Sequence, residues 1–167
     1  MVLVVKDSMV LIHLAKISLL ESSCDYFGKV IIPQAVFEET VDAGKSKGSE
    51  DAFLIEAVIG RGNIRVKKVL KKQFMEKANQ LNIFGGEAEA VALYWQESAE
   101  FLATDDDNVR AKKDVLGAKL IGTPAIILAL HKKKFIGSEK TKEALSRLRK
   151  IGWFSSEIID RALMEVS

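Results

Sequence analysis

Glu100-Phe101-Leu102-Ala103-Thr104-Asp105-Asp106-Asp107-Asn108 is the stretch that decides how the chain is read. Its first half is a short apolar run with the character of a strand, and its second half is a turn carrying three adjacent carboxylates. Three like charges in a row repel one another and add nothing to a core. In a soluble α/β chain they mark either a solvated loop or one wall of a cation site, and the triplet alone favours the loop. The question is whether other acids reach the same place.

Working outward, four more short runs read as strands: residues 2–6, 29–32, 63–66 and 118–121. Between and after them lie helical patterns. Residues 9–15 have Asp7 or Ser8 available as a cap, 19–26 follow, and 34–41 open with Pro33 in the first turn. Next come 49–59, 71–81, and 87–96 after a break at Gly85-Gly86. Then follow a short basic helix at 109–115 and an apolar one at 125–131 started by Thr123 as cap and Pro124. Two amphipathic helices, 139–150 and 156–165, complete the series. Residues 42–48 form a polar connection whose Gly44-Lys45-Ser46 lacks the upstream glycine and the preceding strand of a phosphate-binding loop.

Short strands alternating with helices imply an α/β fold, a three-layer α/β/α sandwich around a parallel sheet of four to five short strands. One domain is expected over residues 1–167, with a core over about 2–135 and a helical extension over about 136–167. The apolar fraction of 48% and the charged fraction of 29% exclude a disordered chain. The single cysteine, Cys24, excludes an intrachain disulfide and fits the core of a protein from a reducing compartment. With no secretory leader pattern and no apolar run of about 18 residues, a cytoplasmic protein is expected. His13 stands in an apolar helix without His or Cys at ligand spacing, which predicts a packed or half-exposed histidine and not a metal ligand. Charge is uneven: residues 1–109 carry 12 Lys/Arg against 17 Asp/Glu, whereas residues 110–150 carry 12 against 3. An acidic pole beside a basic one suits a polyanion held near bound metal.

In parallel α/β sheets ligands sit outside the carboxyl ends of the strands. Asp7 ends the first strand, Glu38 and Glu39 lie in the helix after the second, Glu87 begins the helix leading to the acidic strand, and Asp105 to Asp107 end that strand. Each acid alone has a dull account, as a helix-start charge or a solvated side chain. Together they bring carboxylates from four chain positions to one sheet edge, a site that needs a cation. Hard oxygen donors with no convergent His or Cys point to Mg²⁺ or Mn²⁺ rather than zinc. The chemistry this suits is phosphodiester hydrolysis by a metal-activated water, with the basic half holding a nucleic-acid backbone.

These residues resemble the PIN-domain nucleases. The resemblance rests on the strand ending in Asp7-Ser8 with Leu11-Ile12-His13-Leu14, and on Ile32-Pro33 with Val36, Glu38 and Glu39. It continues through Gly86-Glu87-Ala88-Glu89-Ala90-Val91-Ala92-Leu93, Leu102-Ala103-Thr104-Asp105-Asp106, and Gly122-Thr123-Pro124-Ala125. The tail from Ile151-Gly152-Trp153-Phe154-Ser155-Ser156 is similar to that of a poorly characterised prokaryotic branch of the family.

The resemblance implies catalytic metal ligands at Asp7, Glu39 and Glu87, with Asp105 and Asp106 both candidates for the fourth place. Ser8, Thr104 and Asn108 would orient water or phosphate. Glu87 stands where many members have Asp, and Asn108 where some have a further acid, so one bound metal is expected rather than two. Glu89 lies roughly 200° around the helix from Glu87, so only one of them should face the site. The implied activity is that of a Mg²⁺- or Mn²⁺-dependent endoribonuclease resembling the toxins of toxin–antitoxin pairs. Its partners would be single-stranded or structured RNA, a small antitoxin protein and a second copy of the chain. Apolar surface near residues 10–26 or 49–59 would serve the dimer. The competing reading is a non-catalytic RNA-binding module of the same fold. A phospho-acceptor domain is weaker, because the first strand ends in one acid instead of a pair.

Overall fold

A computed structural model describes residues 1–166. Five strands, β1 (Val2–Lys6), β2 (Gly28–Pro33), β3 (Arg65–Lys67), β4 (Phe101–Ala103) and β5 (Leu120–Ile121), make one sheet in the order β3-β2-β1-β4-β5. Every pairing is parallel. The chain steps outward from β1 to β3 and then returns to build β4 and β5 on the other side of β1. The order therefore reverses between β1 and β4, the place where an open parallel sheet leaves a crevice at its carboxyl edge.

Alternate side chains of the strands enter opposite layers, as the two-residue period requires. Val4, Val30, Ile32 and Ala103 pack against α1 (Ser8–Lys16), α2 (Leu20–Phe27), α5 (Glu50–Gly60), α10 (Thr123–Lys132), α11 (Ser138–Ile151) and α12 (Ser156–Met164). Val5, Ile31 and Leu102 pack on the other face against α6 (Lys72–Gln80) and α7 (Gly85–Gln96), joined by α8 (Asp107–Ala111) and α9 (Lys113–Leu116). Burial on both faces is why the strands are nearly continuous apolar runs. The sheet sandwiched between helices is the architecture the alternation predicted. Val10, Leu11 and Leu14 of α1 and Ala52, Ile55 and Val58 of α5 are buried, so the faces proposed for a dimer are largely occupied within the chain. Phe53 is the large apolar side chain that α5 leaves exposed.

Five local predictions need correction. Pro33 takes the N-cap position, not the first turn, of α3 (Gln34–Phe37). That helix widens into a π-helical turn, Glu38–Asp42, and continues as α4 (Ala43–Ser46) through the expected polar connection. Within it Thr40 Oγ1 donates to Val36 O at 2.7 Å. Gly85, at φ 62°, follows the expected break after α6, but α7 already begins at Gly85 and not at Glu87. The basic helix is two short helices, α8 and α9. Thr123 is the first residue of α10 instead of its cap, and the cap position falls on Gly122, which has no side chain to offer.

Lys6, the last residue of β1, is fully buried. Its Nζ donates to Ser23 Oγ at 2.5 Å and lies 5.3 Å from the centre of the Phe27 ring. Burial pulls its pKa from 10.5 down to about 8, with the neighbouring Cys24 acting weakly the other way. No described helix is long and apolar enough to cross a membrane.

Candidate functional site

The carboxyl ends of β1 and β4 lie side by side, and Asp7 N donates to Ala103 O at 3.0 Å. Shortly after each strand an aspartate caps the next helix. Asp7 Oδ1 accepts from Val10 N at 2.9 Å at the start of α1, and Asp106 Oδ2 accepts from Val109 N at 2.9 Å at the start of α8. A carboxylate at an N-cap satisfies orphan amides and meets the positive end of the helix dipole, so each acid is fixed in place by its own helix. Thr104 joins the two: its Oγ1 donates to Asp7 Oδ2 and accepts from Asp106 N at 3.1 Å.

Glu39 and Glu87 reach the same edge from the flanking helices. Glu39, on the π-helical turn, accepts from Ser8 Oγ at 2.9 Å through Oε2. Its carboxylate lies against the start of α7, where a Cβ on Gly86 would stand 2.1 Å from Glu39 Oε1. Gly86 therefore leaves the space that Glu39 fills. Glu87, the next residue, is half-buried and feels the negative charges of Asp106 and Glu39.

Burial is the main cause that raises the Glu87 pKa, and those two acids add to it. Burial likewise raises Asp7 from 3.8 to about 7, against the hydrogen bonds from Thr104 and Val10, and Asp105 and Glu87 push the same way. Two acids of four thus resist ionisation because of where they are. Glu89, on the same helix, turns away: its Oε1 accepts from Ala35 N at 3.2 Å. This is the separation of Glu87 and Glu89 that the helical angle required.

Asp105 and Asp106 have different surroundings. Asp105 is 2% exposed, and its carboxylate is fully engaged. Oδ1 accepts from Thr123 N at 2.7 Å, and Oδ2 accepts from Thr123 Oγ1 at 2.5 Å and from His13 Nδ1 at 2.8 Å. Asp105 supplies across space the cap that Gly122 cannot give to α10. A Cβ on Gly122 would stand 3.0 Å from Asp105 Oδ1 and 3.1 Å from Arg110 Nη1. His13 is packed, as expected, but it belongs to this polar floor and not to apolar core alone. The edge of its ring meets Phe154, with centroids 5.5 Å apart. Trp153 Nε1 donates to Asp105 O at 3.2 Å.

Asp107 is exposed in the first turn of α8. Asn108 ties that helix to the loop before α7, its Nδ2 donating to Asn82 O at 3.0 Å and its Oδ1 accepting from Lys112 Nζ at 2.7 Å. Sequence reading missed the roles of His13, Thr123 and Trp153, because each contact joins distant parts of the chain. The Thr123 hydroxyl next to a helix start was the one local signal.

A divalent cation can be tested against this donor set. Asp7, Glu39, Glu87 and Asp106 offer oxygen alone, and two of them, Asp7 and Glu87, have pKa values raised mainly by burial and further by neighbouring acids. That is the chemistry of a hard ion which keeps several waters. Among the described residues, no three His, Cys, Asp or Glu side chains stand close enough together, as placed, to hold a metal ion. The residues fit Mg²⁺ or Mn²⁺ by donor type and charge. A family model described as a PIN domain matches residues 3–167. No curated protein and no solved structure matches the chain.

Proposed function

The chain belongs to the PIN-domain family, whose fold is of nuclease type, and from that premise we propose that it is a metal-dependent endoribonuclease that hydrolyses RNA phosphodiester bonds. The observation that carries the proposal is the acid edge at the sheet reversal, where Thr104 links Asp7 to Asp106 and Glu87 faces Glu39 and Asp106. Asp7, Glu39, Glu87 and Asp106 would hold the ion. Asp105 is assigned a positioning role, since its carboxylate oxygens are taken by Thr123 and His13.

When bound, Mg²⁺ or Mn²⁺ supplies a water of lowered pKa and positive charge to offset the phosphate. The chain's own groups orient that chemistry. Val10 N and the Thr104 hydroxyl fix both oxygens of Asp7, so its plane is set before substrate arrives. Ser8 fixes one oxygen of Glu39 in the same manner. Arg110, held by its Nη1 donating to Thr104 O at 3.2 Å, offers a cation beside the acids for a backbone phosphate.

The test is cleavage of end-labelled RNA by purified protein with Mn²⁺, with Mn²⁺ plus chelator, and by Asp7→Asn. Wild type should cut only with free metal, and Asp7→Asn should lose activity by about 10³-fold. Equal cleavage by both proteins defeats the nuclease reading. Binding by both without cleavage leaves the RNA-binding module. The finer reading, a toxin with a small protein antitoxin and a dimeric state, draws on the family resemblance. It is tested by coexpression with the product of any short adjoining reading frame and by the mass of the purified species.

A further inference from the structure

Trp153 is held in an unusual way for a surface aromatic. Gly152 ends α11 in the left-handed region, at φ 81°, and Ser155 caps α12 through its own side chain, whose oxygen accepts from Ile158 N. The short turn between two helices is therefore fixed at both ends. Its two aromatic residues divide. Phe154 packs inward on the core and on the His13 ring, which Trp153 also approaches, with ring centroids 6.2 Å apart and the planes tilted by 47°. Trp153 stays 46% exposed, yet its ring is not free to swing, because Nε1–H is bonded to Asp105 O. The result is an indole with one edge pinned to the wall of the acid site and much of its surface open to water, on a backbone next to Asp106.

We propose that Trp153 is a stacking platform for a nucleobase of an unpaired RNA strand whose phosphate lies at the acid edge. This rests on the ribonuclease reading above. Stacking on an aromatic face needs no particular base, and it requires a strand whose bases can turn outward, which a duplex does not offer. Arg110, bonded to the carbonyl of Thr104, supplies the backbone contact on the same wall. The two together form the usual pairing for single strands, a cation for the phosphate and a ring for the base. A ring serving only to anchor the tail would act through its N–H, and nothing would require its surface to remain open.

The test measures binding, not cleavage, in an Asp7→Asn background that keeps the strand whole. Fluorescein-labelled single-stranded RNA and the corresponding duplex are titrated in Mg²⁺ with Trp153, Trp153→Phe and Trp153→Leu proteins. Trp153→Leu should weaken single-strand binding on the order of tenfold, while Trp153→Phe, which keeps the ring and loses the N–H, should stay within about threefold. Duplex binding should change little. Single-strand binding unaffected by Trp153→Leu overturns the stacking role alone, as does an equal loss in both variants, which would mark an anchor acting through Nε1. Absence of RNA binding by the Trp153 protein overturns the ribonuclease reading and this role with it. A second measurement is independent of how Trp153→Leu folds. The chain has two tryptophans, so Trp95→Phe leaves Trp153 as the sole indole. Its emission should be quenched by a base-bearing strand and not by an abasic one of equal length, and equal response to both overturns the proposal.

Discussion

Asp105 and Asp106 are adjacent in the chain but belong to regions of opposite character. On the Asp105 side, a buried carboxylate meets the Thr123 amide and hydroxyl and the His13 ring, and every oxygen has a donor. On the Asp106 side, Asp106, Glu87 and Glu39 face one another, and burial and repulsion raise the proton affinity of Glu87. Asp7 lies between the two, held by donors yet still raised to about 7. Satisfied burial makes a charge structural, and unsatisfied crowding makes it receptive to a proton or a cation. The difference sorts one run of aspartates into a floor and the edge proposed to hold the ion.

The largest effect expected from the crowded side is a dependence of stability on pH and metal. The folded state raises the Asp7 pKa, so it binds a proton more tightly than the unfolded chain does. Its stabilising contribution is therefore complete below about pH 4 and is lost as the pH rises through about 7. In chelator, the difference in unfolding free energy between wild type and Asp7→Asn should shift against wild type over that window by up to roughly 4 kcal/mol. Glu87 adds to the slope with the same sign. Mn²⁺ should raise the wild-type melting midpoint at about pH 8 far more than at about pH 5. A midpoint indifferent to both pH and Mn²⁺ would remove the distinction between the two sides.

The satisfied side breaks differently. Asp105→Ala leaves His13 Nδ1 and both Thr123 groups without their acceptor in a buried place, and it should cost about 3 kcal/mol in urea unfolding. Mn²⁺ should not restore that loss. A variant as stable as wild type would mean that the floor is dispensable and that Asp105 deserves a place among the ligands.

A smaller effect tests the π-helical turn. Gly86→Ala introduces a methyl 2.1 Å from Glu39 Oε1 and 2.9 Å from Glu39 Cδ, so the carboxylate must move. Gly86 has no positive φ, and alanine suits a helix, so thermal stability should hold or rise slightly. Metal-dependent cleavage should fall by roughly 10–100-fold, as when the support of a metal ligand is altered. Unchanged cleavage would remove Glu39 from the site.

Much of the edge was legible because one rule links sequence to place: acids following strands of a parallel sheet collect at its carboxyl end. That rule pointed to Asp7, the Glu38–Glu39 pair, Glu87 and the Asp105–Asp107 run without any contact being known, and the family resemblance narrowed them to Asp7, Glu39, Glu87 and the Asp105–Asp106 pair. It could not divide the pair, because the dividing contacts join Asp105 to a residue 92 positions away and another 18 away. The π-helical turn was illegible for a different reason. Glu38 to Asp42 have no local preference for it, and it depends on the packing of α3 and α5 around the buried Thr40 and Val41. Lys6 inverted the usual expectation, since lysine is almost never buried unpaired and its Ser23 partner is invisible to strand patterning.

The smallest predicted effect completes the contrast. Asp107 is the third of three consecutive aspartates, and the structure leaves it exposed in the first turn of α8. Its expected contribution is its charge near the positive end of a short helix, a term of about 0.5 kcal/mol that salt screens. Asp107→Asn should therefore change unfolding free energy by that little, should change it less at high ionic strength, and should leave cleavage within about twofold of wild type. The same substitution at Asp106 removes a charge facing Glu87 and should depress metal-dependent activity while relaxing the repulsion that raises the Glu87 pKa. If Asp107→Asn impaired cleavage as strongly as Asp106→Asn, the boundary of the working edge would lie one residue further into α8. Asn108, whose amide already bonds Asn82 and Lys112, would then act by positioning that helix against the loop before Glu87.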